Sequence, residues 1–156
     1  PQPVAPAPAP QPAAPAPAPQ SAAPSPAPAQ ANVPARLRLL VAEDNESNYL
    51  LFESVLEAHY ELCHAWDGNE AVEMFNAFQP DMIIMDINMP NKDGYEATRE
   101  IRQYSSTVPI IAVTAYAFAS DRERILRSGF NSYVSKPINP MRLLQELKRV
   151  LATTGY

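Results

Sequence analysis

Glu43, Asp44, Asp86, Thr114 and Lys136 each follow a short apolar run of this 156-residue chain. If those runs are parallel strands of one sheet, all five side chains meet at a common edge, the place where open α/β sheets carry their sites. Three carboxylates in one crevice repel one another strongly, so the arrangement persists only with a cation among them. An all-oxygen donor set without His or Cys selects a hard ion, Mg²⁺ first. Three carboxylates, one divalent ion and one lysine sum to zero charge. Conversion of Asp86 to an acyl phosphate would move that total to about −1, which a cation and Lys136 tolerate. The crevice is charged as one that accepts a phosphoryl group.

Singly, each of these residues has a plainer reading. Glu43 and Asp44 suit the start of a first helix, where they would cap it and favour its positive end. Asp86 followed by Asn88-Met89-Pro90 suits a turn, Thr114 a cap or strand position, and Lys136 before Pro137 an ordinary loop. Only their joint occurrence favours the crevice.

The elements that must position them are legible from Leu37 onward, where apolar runs alternate five times with longer stretches of helical period. Residues 37–42, 61–65, 82–85, 110–113 and 132–134 read as strands, three of them nearly continuous in apolar residues and so expected to be buried on both faces. Asp67 with Glu70, Asp93 with Glu96 and Ser120 with Glu123 have capping-box spacing, and Asn139 precedes a proline at a first helical position. Gly129 suits a helix end, and residues 141–151 form a last amphipathic helix. Five βα units in this length give an α/β fold, a doubly wound five-stranded parallel sheet with five helices.

Composition divides the chain in two. Thirteen of the 18 prolines and twelve alanines lie in residues 1–34, which hold no glycine and no charge. Alternating Pro and Ala disfavour helix and leave extended polyproline II, so residues 1–35 are expected to be a disordered, semi-stiff linker and residues 36–156 the folded domain. A net charge of −5 without a basic cluster argues against nucleic-acid binding. The longest nearly apolar stretch, residues 108–119, is well short of the ~20 residues that span a bilayer, so no membrane contact is expected. A single cysteine, Cys63, excludes an internal disulfide and fits a reducing, cytoplasmic setting. The start at Pro1 without a leader suggests a piece of a longer polypeptide.

The ordered motifs Val41-Ala42-Glu43-Asp44-Asn45 with Asn48, Met85-Asp86-Ile87-Asn88-Met89-Pro90 with Asp93-Gly94, Thr114-Ala115, and Tyr133-Val134-Ser135-Lys136-Pro137 resemble the receiver domains of two-component response regulators and hybrid histidine kinases. The resemblance covers residues 37–152 and implies the strand order 2-1-3-4-5. It implies Asp86 as the nucleophile that takes a phosphoryl group from a phosphohistidine. Asp44 and Asp86 would bind Mg²⁺ directly, Glu43 through water, and the Asn88 carbonyl would complete the protein ligands. Lys136 would pair with a phosphoryl oxygen and precede a cis proline. Thr114 and Tyr133 would form the switch, and the side chains of Asn88 and Tyr116 would gate the hydrolytic water. The implied partners are a histidine kinase phosphodonor domain and a histidine phosphotransfer protein.

Three rival readings are weighed on residues. A phosphatase of the haloacid-dehalogenase type needs a second Asp two residues after its nucleophile, where this chain has Asn88. A flavodoxin-like cofactor binder needs a phosphate cradle after the first strand, whereas Glu43-Asp44-Asn45-Glu46 repels phosphate. A pseudo-receiver serving only as an interaction module is opposed by the presence of every residue the chemistry needs. The Pro/Ala stretch, with an ending soon after Lys136, leads to the expectation of a C-terminal receiver of a hybrid sensor kinase; the alternative is a response regulator with an N-terminal extension.

The remaining conspicuous residues carry plain expectations. His59 and His64 are not read as phosphorylation sites, Cys63 is read as a small buried hydrophobe, and Trp66 as packing at the end of the second strand. The run Asp121-Arg122-Glu123-Arg124 is read as a solvated helix face, and Met82, Met85 and Met89 as core and loop residues.

Overall fold

Alternation along the strands decides which layer each side chain joins. A computed structural model of the chain describes residues 36–116 and 118–154; the expected linker, residues 1–35, lies outside them. The elements run β1 (Arg38–Ala42), α1 (Glu46–Leu56), β2 (Glu61–Ala65), α2 (Gly68–Phe78), β3 (Met82–Asp86), α3 (Gly94–Tyr104), β4 (Ile110–Thr114), α4 (Ala119–Arg127), β5 (Ser132–Ser135) and α5 (Pro140–Thr153). All strand pairs are parallel, in the order β2-β1-β3-β4-β5. The fold class and strand order are those expected from the sequence.

β1, β3 and β4 are buried almost throughout, as their apolar runs require. Leu40, Ala42, Ile83, Met85, Ile110 and Ala112 face one core with Ala71, Ala97, Ile101 and Ile125, which come from α2, α3 and α4. Leu39, Val41, Met82, Ile84, Ile111 and Val113 face the other with Phe52, Leu56, Leu143 and Leu147 from α1 and α5. Period two in the strands thus feeds two cores at once. Among the described residues, no helix is long and apolar enough to cross a membrane.

Helix starts follow the expected cap residues in three cases of four. Asp67, Asp93 and Asn139 accept backbone N–H bonds from Glu70, Glu96 and Arg142. The Ser120–Glu123 expectation fails. α4 begins at Ala119, with Phe118 as an N-cap that makes no side-chain bond, so Ser120 already lies inside the helix. The Phe118 carbonyl takes the N–H groups of both Asp121 and Arg122, and this sets the start without a hydroxyl.

One other plain reading is corrected. Cys63, on the edge strand β2, is only partly buried, with its Sγ 3.5 Å from the Met74 sulfur. Trp66 packs on His64 just past the end of β2, as expected from the sequence, and is 44% exposed. An edge strand with a helix on each side leaves its end open. Gly129 ends α4 with a φ of 105°, as its position suggested.

The contrast between caps is measurable. Asp67→Ala removes bonds from the Glu70 N–H and the Asn91 amide, both at 2.8 Å, and is expected to cost about 1–2 kcal/mol in urea denaturation. Ser120→Ala is expected to stay within about 0.5 kcal/mol, because no cap is lost.

Candidate active site

The site is assembled by the turns that leave β1, β3 and β5. After β1, the Glu43 N–H bonds the Ala65 carbonyl at 3.0 Å, and the cap of α1 is Asn45, whose side chain accepts the Asn48 N–H at 3.0 Å. Glu43 and Asp44 are therefore not spent on capping. Glu43 Oε1 accepts the Asn45 N–H at 3.1 Å and the Asn48 amide at 3.4 Å. Its Oε2 is buried without a hydrogen-bond partner, 3.6 Å from Lys136 Nζ.

Asp86 closes β3 and is 2% exposed. Its Oδ1 accepts the Asn88 N–H and its Oδ2 accepts Lys136 Nζ, both at 3.1 Å. The loop after it is drawn tight by bonds from Ile87 N–H to Val113 and from Gly94 N–H to Ile87. A Cβ at Gly94 would stand 2.4 Å from the Asp86 carbonyl oxygen, so only glycine lets α3 start that close. Asp44 is exposed, and one carboxylate oxygen from each of Glu43, Asp44 and Asp86 lies within 4.8 Å of the others. Lys136 follows β5, bonds the Thr114 carbonyl through its N–H at 2.8 Å, and precedes a cis proline as expected.

Burial and mutual charge set the protonation of this group. Burial, and then the Asp86 charge, raise Glu43 from its ordinary 4.5 to about 7 despite the nearby lysine. Asp86 is also raised by burial, with Lys136 opposing. Burial disfavours the Lys136 ammonium, but its bond to Asp86 and the two carboxylate charges outweigh that and hold its pKa above the ordinary lysine value. A buried carboxylate oxygen with no donor, beside two more carboxylates, is a hard-cation donor set with a position left open. The residues present fit Mg²⁺.

The remaining predicted residues line the rim. The Thr114 hydroxyl donates to the Tyr116 carbonyl at 2.9 Å and accepts the Tyr116 N–H at 3.0 Å, so in this conformation it is held by its own loop. Tyr133 is half-buried, with the Arg122 guanidinium 5.7 Å from its ring centre. The Tyr116 side chain is 60% exposed, and Asn88 is exposed. On sequence alone, His64 is only excluded as a phosphorylation site; its ring nitrogen Nε2 lies 2.8 Å from the Glu43 carbonyl oxygen. Its signal was there to see: a polar residue on the inward face of β2, in register with Val41 two residues before Glu43.

Comparison with known proteins agrees with this geometry. Residues 39–148 match the family described as the response regulator receiver domain. The polar-differentiation response regulator DivK of Brucella anthropi is 38% identical over 116 residues, which are 72% of this chain and 94% of that protein. The receiver domain of a sensor histidine kinase from Pseudomonas aeruginosa, described with a magnesium ion coordinated in its active site cleft, is 39% identical with a TM-score of 0.70. That match covers 76% of this chain and 99% of the other. The chemotaxis protein CheY4 of Vibrio cholerae is 32% identical with a TM-score of 0.72, covering 75% of this chain and all of that one.

The raised carboxyls make the metal-free protein sensitive to pH. A carboxyl with pKa near 7 when folded and 4.5 when unfolded gives stability that is present below pH 4.5 and lost as pH rises through 7. Glu43→Gln is therefore expected to melt above the wild type at pH 8 in EDTA, with the gap closing toward pH 4.5. Circular-dichroism melts across that range check it; a gap independent of pH refutes it.

Proposed function

This chain belongs to the response regulator receiver domain family of two-component systems, and we propose that Asp86 is its phosphoacceptor. The observation that carries this reading is the buried Asp86 carboxylate, bonded to Lys136 and grouped with Glu43 and Asp44 around an unsatisfied oxygen. An Asp86 oxygen attacks the phosphorus of a phosphohistidine, the P–N bond breaks, and the imidazole leaves with the bonding pair and takes up a proton. Lys136, already on Asp86 Oδ2, is placed to neutralise a phosphoryl oxygen. The Asn88 N–H holds the other carboxylate oxygen and fixes the plane of the attack.

Asp44, Asp86, Glu43 and the Asn88 carbonyl would hold Mg²⁺, which when bound draws off charge developing on the phosphoryl oxygens. The likeness to a receiver described with magnesium in its cleft supports that assignment. After transfer, the Thr114 hydroxyl leaves its loop bonds for the phosphoryl group and Tyr133 turns inward, a shift between two packings of the α4–β5 face. Tyr116 and Asn88 stand two residues beyond Thr114 and Asp86, where their side chains govern the approach of hydrolytic water.

The donor in this reading is a histidine kinase or a histidine phosphotransfer protein in the cytoplasm. The Pro/Ala composition of residues 1–35 and the 39% identity to a sensor-kinase receiver support a receiver tethered to a kinase core. The 38% identity to a response regulator supports the second reading, a receiver that acts as a response regulator.

Incubation with acetyl phosphate and Mg²⁺ is expected to add one phosphoryl mass, lost in EDTA and in Asp86→Asn. A mass gain that survives Asp86→Asn sinks the assignment. With label on Asp86, Tyr116→Ala is expected to shorten the phosphoryl lifetime several-fold, since ~1.4 kcal/mol of barrier is tenfold in rate. An unchanged lifetime removes Tyr116 from the gate.

A further inference from the structure

Beside the acidic cluster, on the outer strand of the sheet, three aromatic residues form a ladder that the proposed chemistry does not use. The His64 ring lies flat on Tyr49 of α1, with centroids 3.7 Å apart and planes 5° from parallel. Trp66, beyond the end of β2, also meets the His64 ring, with centroids 4.2 Å apart and planes tilted by 44°. His64 Nε2 is 2.8 Å from the Glu43 carbonyl oxygen. A carbonyl only accepts, so Nε2 carries the hydrogen, and the ring is the tautomer that donates there.

This bond falls on a peptide whose position decides where two carboxylates stand. The Glu43 N–H is already tied to the Ala65 carbonyl at 3.0 Å, and Glu43 has no solvent contact. With the His64 bond, both backbone groups of Glu43 are held by the end of β2. The peptide that joins Glu43 to Asp44 then cannot rotate. Glu43 also has its side chain fixed through Oε1 by Asn45 and Asn48, but Asp44 is exposed, and its aim depends on the backbone that carries it. The ladder in turn fixes the donor. The Tyr49 stack sets the plane of the imidazole, the tilted Trp66 ring bounds it, and the bond to the Glu43 carbonyl selects between the two ring flips, so Nε2 stays aimed at the carbonyl.

We infer that His64 is a positioning residue for the Mg²⁺ site, acting through the Glu43 carbonyl, with Tyr49 and Trp66 as the clamp that orients its ring. The inference rests on the proposed reading of Glu43, Asp44 and Asp86 as the metal cluster. His64 touches neither ion nor phosphoryl group. Its contribution is the pre-set direction of Asp44 and Glu43, and a cluster that must be reorganised on binding holds its ion less tightly.

Three variants separate the hydrogen bond from the ring. His64→Phe keeps the stack and loses the donor. His64→Gln keeps a donor at the place of Nε2 and loses the ring. His64→Leu loses both. Isothermal titration of the full chain with Mg²⁺ is expected to show affinity lowered about tenfold in His64→Phe and His64→Leu, the scale of losing an outer partner of a metal site, and restored only in part in His64→Gln, whose donor lacks the clamp; full restoration would keep the hydrogen bond and overturn the clamp. A purely structural role would lower melting temperature in all three and leave Mg²⁺ affinity alone, and that result overturns the inference. Should the variants fail to fold, ¹⁵N-histidine spectra of the wild type take their place: a slowly exchanging Nε2–H on His64 that shifts on adding Mg²⁺ upholds the inference, and a rapidly exchanging or unmoved one overturns it. A wild-type chain that binds no Mg²⁺ overturns the metal reading itself; a wild type that binds, with His64→Phe binding equally well, overturns only the role of His64.

Discussion

Glu43 and Asp86 lie at the ends of neighbouring strands, almost wholly out of water, with one ammonium group, Lys136 Nζ, at 3.6 and 3.1 Å from them. Two buried carboxylates and one lysine do not balance, and exposed Asp44 adds a third negative charge within reach. The imbalance shows in the raised pKa values of both buried acids. A fold optimised for stability alone would replace this cluster with apolar side chains, since burying unmatched charge is expensive. A cation among the three carboxylates would offset the imbalance, and in the proposed reading it would also offset the charge that a phosphoryl group adds.

Holding like charges together requires a backbone that does not yield. Each approach to the site is closed by main-chain bonds rather than by side-chain packing alone. Glu43 is tied to Ala65, Ile87 to Val113, and Lys136 to Thr114. Gly94 lets α3 begin against the Asp86 carbonyl, and Gly68 lets α2 begin against the Lys92 carbonyl, where a Cβ would stand 2.2 Å from the oxygen. The loop between β3 and α3 is thus gripped at both ends by helix starts. Repulsion that would splay side chains on a mobile loop is here opposed by the sheet.

Layers and crevice were legible because they follow from strong local signals: continuous apolar runs, cap residues at regular intervals, and charged residues at run ends; the strand order came instead from the family resemblance of the motifs. Less legible was anything decided by tertiary contact. Ser120 and Glu123 have the spacing of a cap, yet the Phe118 carbonyl starts α4 earlier. Cys63 reads as a buried hydrophobe by type, but its place on an edge strand leaves it only partly buried. His64 and Tyr49 are far apart in sequence, and only the packing of α1 on β2 brings their rings together. The run Asp121-Arg122-Glu123-Arg124 is solvent-exposed for the most part, as its charge suggests. Two of its guanidiniums nevertheless lie over aromatic rings, Arg122 over Tyr133 and Arg124 over Tyr95, the latter at 4.1 Å.

Those two contacts bear on how a change at Asp86 reaches the surface. α5 buries four residues against the sheet, whereas α4 buries Ile125 alone. What holds α4 beyond that side chain includes the two guanidinium–ring contacts, each on the order of 0.5–2 kcal/mol. One grips α3 through Tyr95, which packs edge-on against Phe130, and the other grips β5 through Tyr133. The loop entering α4 is held in turn by the Thr114 hydroxyl on both backbone groups of Tyr116. In the proposed switch, Thr114 moving toward a phosphoryl group would release that loop, and Tyr133 moving inward would take a ring from beneath Arg122. Both movements would loosen α4, which has a single buried residue. Free energy of a few kcal/mol at the acidic cluster would then be enough to shift α4, while the strands that hold the cluster, anchored in both cores, would stay where they are.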